Sequence, residues 1–172
     1  MKRGIRDLVY IAFSASLIAI FSQFIIPLPS GVPLTLQTFM VALTGYVIGF
    51  KGSIAVLIYI AIGAVGVPVF TGFQGGLGTL FGITGGFIIG FIPLAFFCGI
   101  EKRKIHFKII FGLIGIILCH VLGVIRFAEY SGNIESAFFA VSLPYIAKDI
   151  VSMTLAAVIS RKIKRAISAY VI

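Results

Sequence analysis

Long apolar runs without polar alternation dominate this chain. Residues 57–67 and 109–118 are two of them. A strand of a membrane barrel would alternate apolar and polar side chains, so these runs specify helices. A helix needs about 20 apolar residues to span a bilayer. At that size the 172 residues hold six spans with short loops. Composition supports this: 60% of residues are hydrophobic and 11% are charged, against about 25% charged in a soluble domain. A soluble domain this apolar would expose adhesive patches, and a disordered chain needs the opposite balance. The net charge of +9 does not indicate a nucleic-acid partner, because such proteins carry basic residues on a mostly polar surface. The expected fold is an all-α integral membrane protein with lipid as its solvent. It forms one domain over residues 1–172, with six transmembrane helices at about 8–26, 35–50, 53–68, 79–100, 109–127 and 137–160.

The start, Met1-Lys2-Arg3 before an apolar run, has the look of a signal peptide. Five more apolar segments follow, so it is read as the first membrane helix. Pro27, Pro29 and Pro33 keep the next loop non-helical. The third helix closes near Pro68, and residues 71–78 are glycine-rich around one longer polar side chain, Gln74. Alternate connections collect the basic residues: Lys2, Arg3 and Arg6; Lys51; Lys102, Arg103, Lys104 and Lys108; Arg161, Lys162, Lys164 and Arg165. Loops 27–34 and 69–78 carry no charge, and 128–136 carries only Glu129 and Glu135. The positive-inside rule then places the N-terminus and C-terminus in the cytoplasm.

Of the 14 basic residues, only Arg126 and Lys148 escape this pattern. Lys148 and Asp149 fall near the middle of the sixth helix, where a charge costs about 2.5–3.5 kcal/mol on insertion scales. Such groups face a wet cavity or pair inside the protein. Adjacent helical positions point about 100° apart, so the two are expected to reach different groups. Pro144, one turn earlier, should bend the helix. Arg126 either snorkels to the outer headgroups or binds a ligand. His120 is read as a packing or helix–helix hydrogen-bonding residue, and Cys98 and Cys119 as packing residues. Gly78, Gly82, Gly86 and Gly90 form one small-residue stripe for close helix packing. Ala12, Ala15 and Ala19 form a weaker stripe on the first helix.

The segment Gly49-Phe50-Lys51-Gly52 lacks the spacing of a phosphate loop. HExxH, GxSxG and clustered metal ligands are also missing from the sequence. Two adjacent charges and one arginine are too few for a membrane enzyme, and no cofactor is expected. Thr35, Gln37 and Gln74, set in rigid or glycine-rich loops over the charged pair, suit a small solute with an amide-like head and an anionic tail.

The segment Pro27-Leu-Pro-Ser-Gly-Val-Pro33-Leu-Thr-Leu-Gln37-Thr38 resembles the first loop and second helix of the BioY family of biotin transporters. Gly63-Ala-Val-Gly-Val-Pro68-Val-Phe70, Gly75-Gly-Leu-Gly78 and Gly82-Ile-Thr-Gly-Gly86-Phe-Ile-Ile-Gly90-Phe look like that family's third loop and fourth helix. The resemblance runs from about residue 8 to 160. It implies a multi-pass protein of a prokaryotic plasma membrane, in contact with lipid. Its role would be that of the substrate-binding (S) subunit of an energy-coupling factor transporter. The implied partners are a transmembrane coupling subunit and two ATPase subunits, docked through a small-residue surface such as Ala12, Ala15 and Ala19. The family's sixth helix commonly reads Pro-Gly-Asp-x-x-Lys. Here the acid is Asp149, Ser152 stands at the lysine position and Lys148 at the glycine. Positions 148 and 152 share a helix face, so Lys148 is expected to replace the missing lysine, assisted by Arg126. Asp149 and Gln74 would bind the ureido ring of biotin, and Phe70 and Phe73 would cover its apolar part. The rival readings are an S subunit for another vitamin and a standalone facilitator.

Overall fold

The computed structural model describes residues 3–101 and 104–170. Lys2, Lys102 and Arg103, counted above in the basic clusters, lie outside the described residues. Helix α1 (Arg3–Phe21) ends before the first proline loop. Two short strands follow, β1 (Ile25–Ile26) and β2 (Leu34–Thr35), paired antiparallel with Ile25 opposite Thr35. The three prolines thus occupy the bend of a small hairpin. This departs from the all-helical expectation, and it shortens the second helix to α2 (Gln37–Ile48). Helix α3 (Lys51–Ala64) follows after a tight link.

The expected fourth helix is broken. One turn, α4 (Leu77–Leu80), leads through a bend at residues 81–84 into α5 (Gly85–Gly99). Gly82 and Gly85 weaken helix here, and the β-branched Ile83 and Thr84 between them restore little. The break frees the carbonyls of Phe81 and Gly82, which α6 (Ile105–Ser131) supplies with donors from Arg126 and Tyr130. Helix α6 is longer than expected at both ends. It stops at Gly132, whose φ of 73° is the left-handed C-terminal conformation that glycine adopts most easily.

The expected sixth helix is also divided. Helix α7 (Ile134–Val141) is capped by Asn133, whose side chain accepts from the amides of Glu135 and Ser136. Helix α8 (Leu143–Tyr170) restarts immediately after Ser142. Pro144 lies in the first turn of α8, where its missing amide has no intrahelical partner to lose. The proline therefore sets a break rather than a bend.

Helices α1, α6 and α8 are long and apolar enough to cross a membrane. Helices α2, α3 and α5 have 12, 14 and 15 residues, so they fall short of the roughly 30 Å hydrocarbon layer. Irregular backbone is tolerated at membrane depth only where protein buries it or it lines a cavity. The non-helical segments beside α2 and α5 do line one.

The glycine stripe splits between two tasks. Gly86 and Gly90 press α5 against α6, and a Cβ on Gly90 would stand 2.7 Å from the Cα of Cys119. Gly78 and Gly82 face the cavity instead. Both cysteines are free and buried. On α1, Ile11, Ser14, Ala15 and Ile18 form the inward face. Ala15 is therefore core, Ala19 is half-buried, and only Ala12 is exposed. Ala15 is thus placed in the core rather than on the expected docking surface, while Ala12 and Ala19 keep exposed area.

Charged residues gather at one end. Asp7 pairs with Lys51 at 2.6 Å and Glu101 with Lys164 at 2.8 Å. The links at Gly49 and Gly99 abut between these pairs. The hairpin and the glycine-rich segment 71–78 sit at the opposite end of α2 and α3.

Candidate ligand-binding cavity

A cavity of about 640 Å³ lies under the hairpin and the glycine-rich segment. Its walls come from Pro27 to Pro33, the start of α2, residues 71–84, the first turns of α5, Cys119 and the first turns of α8. This places backbone-rich loops above, an apolar floor of Phe87, Ile88 and Phe91 below, and charge at one side. An apolar cavity with a few convergent polar groups is the usual form of a small-molecule site.

The charge is the Lys148–Asp149 pair. Contrary to the expectation from helix geometry, the two side chains meet, because the flexible lysine stem folds back over its neighbour. The ammonium also donates to the Thr35 carbonyl at 2.9 Å, which ties α8 to the hairpin. An ammonium carries three donors, so one stays available. Asp149 is 7% exposed. Its Oδ2 lies 3.1 Å from His120 Nε2, while its buried Oδ1, though paired with Lys148, receives no well-aligned hydrogen bond. The site thus offers one spare cationic donor beside a buried carboxylate.

The structure brings Thr35, Gln37, Gln74, Lys148 and Asp149 to the cavity wall. Gln37 is bound on both sides of its amide: it donates to the Tyr59 hydroxyl at 2.6 Å and accepts from Thr71 at 3.3 Å. It holds the glycine-rich segment over the site. Gln74 is exposed at the mouth, and its carbonyl accepts from the Phe70 amide at 2.9 Å.

Four expected residues lie elsewhere. Phe70 is fully buried against Tyr59, ring centroids 5.4 Å apart, and belongs to the core. Phe73 is 72% exposed and does not line the cavity. It has a φ of 58°, rare for a bulky residue, and the Gln23 side chain accepts from its amide at 2.9 Å. Arg126 does not line the cavity. It splints the α4–α5 break through Phe81 and Gly82, flanked by Glu129 and the Tyr130 ring. Ser152 is buried one turn beyond Lys148 and also lies off the wall.

Sequence reasoning missed the aromatic part. Phe87 and Phe91, four apart on α5, supply the floor, a spacing that puts both on one face. Tyr145 lies on the same α8 face as Asp149. Its hydroxyl donates to the Val32 carbonyl and lies 3.0 Å from Ser30 Oγ, fastening the hairpin to α8. Thr38, one turn after Thr35, was legible by the same spacing.

These features define a class: a helical protein with membrane-length apolar helices and an internal site for a small solute with an anionic end and a hydrogen-bonding end. The chain belongs to the BioY family, whose model matches residues 1–169. It is 35% identical to the biotin transporter BioY of Thermotoga maritima, over 93% of this chain and 96% of that protein. It is 39% identical to a probable biotin transporter BioY of Pyrococcus horikoshii, over 77% and 81% respectively. The fold also matches a crystal structure of the S-component for biotin from an ECF-type ABC transporter. The TM-score is 0.86 at 26% identity, covering 96% of this chain and 95% of that one.

Proposed function

We propose that this chain is the biotin-binding S subunit of an energy-coupling factor transporter. It is a transporter component and not an enzyme. The observation that carries this reading is the buried Lys148–Asp149 pair in a cavity roofed by the hairpin and the glycine-rich segment. The Asp149 carboxylate, which can accept more bonds than those His120 and Lys148 supply, suits a ureido N–H, and Gln74 at the mouth adds an amide partner. The spare donor of Lys148 suits the valerate carboxylate. Phe87 and Phe91 suit the thiophane ring. A site that hydrogen-bonds a buried polar group rejects analogues lacking it, because its own groups are then left unpaired.

In this reading six membrane segments run with both termini in the cytoplasm: α1, α2, α3, α4 with α5, α6, and α7 with α8. The charge-rich end is then cytoplasmic and the cavity opens outward, in the plasma membrane of a prokaryote. A membrane coupling subunit and two ATPases supply the energy, with Ala12 among the α1 residues open to a partner. Purified protein should gain thermal stability with biotin by RT ln(1 + [L]/Kd), about 2.7 kcal/mol at a hundredfold excess over Kd. A shift with another vitamin and none with biotin would overturn the substrate. Biotin uptake by an auxotroph, with and without the coupling module, tests the partnership.

A further inference from the structure

The mechanism above uses Asp149 but not the residues behind it. His120 is 6% exposed and Ser142 is 1% exposed. Neither lines the cavity. His120 Nε2 faces Asp149 Oδ2 at 3.1 Å, and its Nδ1 lies 3.0 Å from Ser142 Oγ. Phe87 stands edge-on to the imidazole, centroids 5.8 Å apart with the planes at 89°. The ring is therefore held at both nitrogens and braced by its neighbour.

Ser142 is itself fixed by the α7–α8 break. Its carbonyl accepts the amides of Tyr145 and Ile146, each at 3.0 Å. With Nε2 donating to the carboxylate, Nδ1 is the acceptor of the serine hydroxyl. The chain of contacts runs from the break, through Ser142 and His120, to one oxygen of Asp149. Fixing Oδ2 restrains the carboxylate from rotating and leaves Oδ1 to hold the Lys148 ammonium at the cavity wall. A plain helix–helix hydrogen bond would need no such division of the two oxygens.

We propose that His120, locked by Ser142, is a positioning residue for the ligand: it orients the Asp149 carboxylate, and with it the Lys148 ammonium paired to Oδ1, toward the bound solute. This rests on the assignment of Asp149 to the biotin site. Supporting groups of this kind matter because a misplacement of about 1 Å can cost on the order of a hundredfold.

The test is biotin titration of the purified full chain with three variants, alongside ligand-free melting. His120→Phe keeps the ring shape and removes the donor. His120→Gln places an amide N–H near the position of Nε2. Ser142→Ala frees the ring. The expected result is a Kd raised about 10- to 100-fold in His120→Phe and restored to within about threefold in His120→Gln. A several-fold rise is expected in Ser142→Ala. Unchanged affinity in His120→Phe, or equal loss in His120→Phe and His120→Gln, would overturn the proposal. If His120→Phe does not fold, Ser142→Ala decides: wild-type affinity there overturns it. Wild-type protein that binds another vitamin but not biotin would instead refute the functional reading, and the same variants are then titrated with that vitamin.

Discussion

A lysine and an aspartate adjacent on one helix do not face each other, yet Lys148 and Asp149 are paired here. The lysine stem is long enough to undo what the helix imposes. Sequence therefore identifies the two charges as out of place in lipid, but helix angles alone misjudge their contact. The consequence is testable with two ligands. Lys148→Ala should weaken biotin binding by about 3 kcal/mol, roughly a hundredfold, because it leaves the buried valerate carboxylate without its cation. Biotin amide should lose much less. Equal losses in a competition assay would make Lys148 a purely structural residue. Arg126→Ala should behave differently. It removes one donor from each of the Phe81 and Gly82 carbonyls, which keep Tyr130 and the Gly85 amide, so stability should fall by about 1 kcal/mol. Any loss of affinity should then be the same for biotin and its amide, in contrast to Lys148. Phe70 shows the other limit of sequence reading. Its place beside a glycine-rich loop suggests a ligand contact, but Tyr59 offers it a closed aromatic partner and the core claims it.

Hydrophobic length identified an apolar helical chain and misjudged the continuity of its helices. The fourth and sixth expected helices each break near a small or proline residue, at residues 81–84 and at Ser142. Glycine content flagged the first weakness without saying whether it would pack or bend. The stripe does both: Gly86 and Gly90 pack, while Gly82 lies at the bend. What decided between them is tertiary, namely the donors that α6 brings to the freed carbonyls. At the packed end, Gly90→Val should force α5 away from Cys119 and cost about 1–3 kcal/mol by overpacking. The melting temperature of the ligand-free protein measures this, and an unchanged value would mean the contact is loose. The docking stripe on α1 was misread for a related reason. Small residues announce close approach, but Ala15 approaches this chain's own core rather than a partner.

Charge was the most legible property of the whole molecule. Described members of the basic clusters meet at one end, where Asp7–Lys51 and Glu101–Lys164 link separate segments. The Lys164 ammonium beside Glu101 holds its carboxyl below the usual glutamate range. A carboxyl depressed in the folded state stabilises the fold above its unfolded pKa of about 4.3. That contribution is lost as pH falls below this value through the folded pKa. Melting curves from pH 6 to pH 3 should show a slightly larger loss in wild type than in Glu101→Gln, which keeps the other paired carboxylates. The effect stays small because the pair is exposed to solvent.

The strap between the hairpin and α8 carries a kinetic meaning. Tyr145 fastens the roof of the cavity by its hydroxyl at Val32 and Ser30. A solute that enters or leaves under this roof must wait for that fastening to open. Tyr145→Phe keeps the ring and removes the latch. Exchange of labelled biotin should then quicken in both directions, by about fivefold for a bond worth about 1 kcal/mol, while the equilibrium constant moves far less. The residence time of the vitamin would thus be written in a tyrosine that need not touch it.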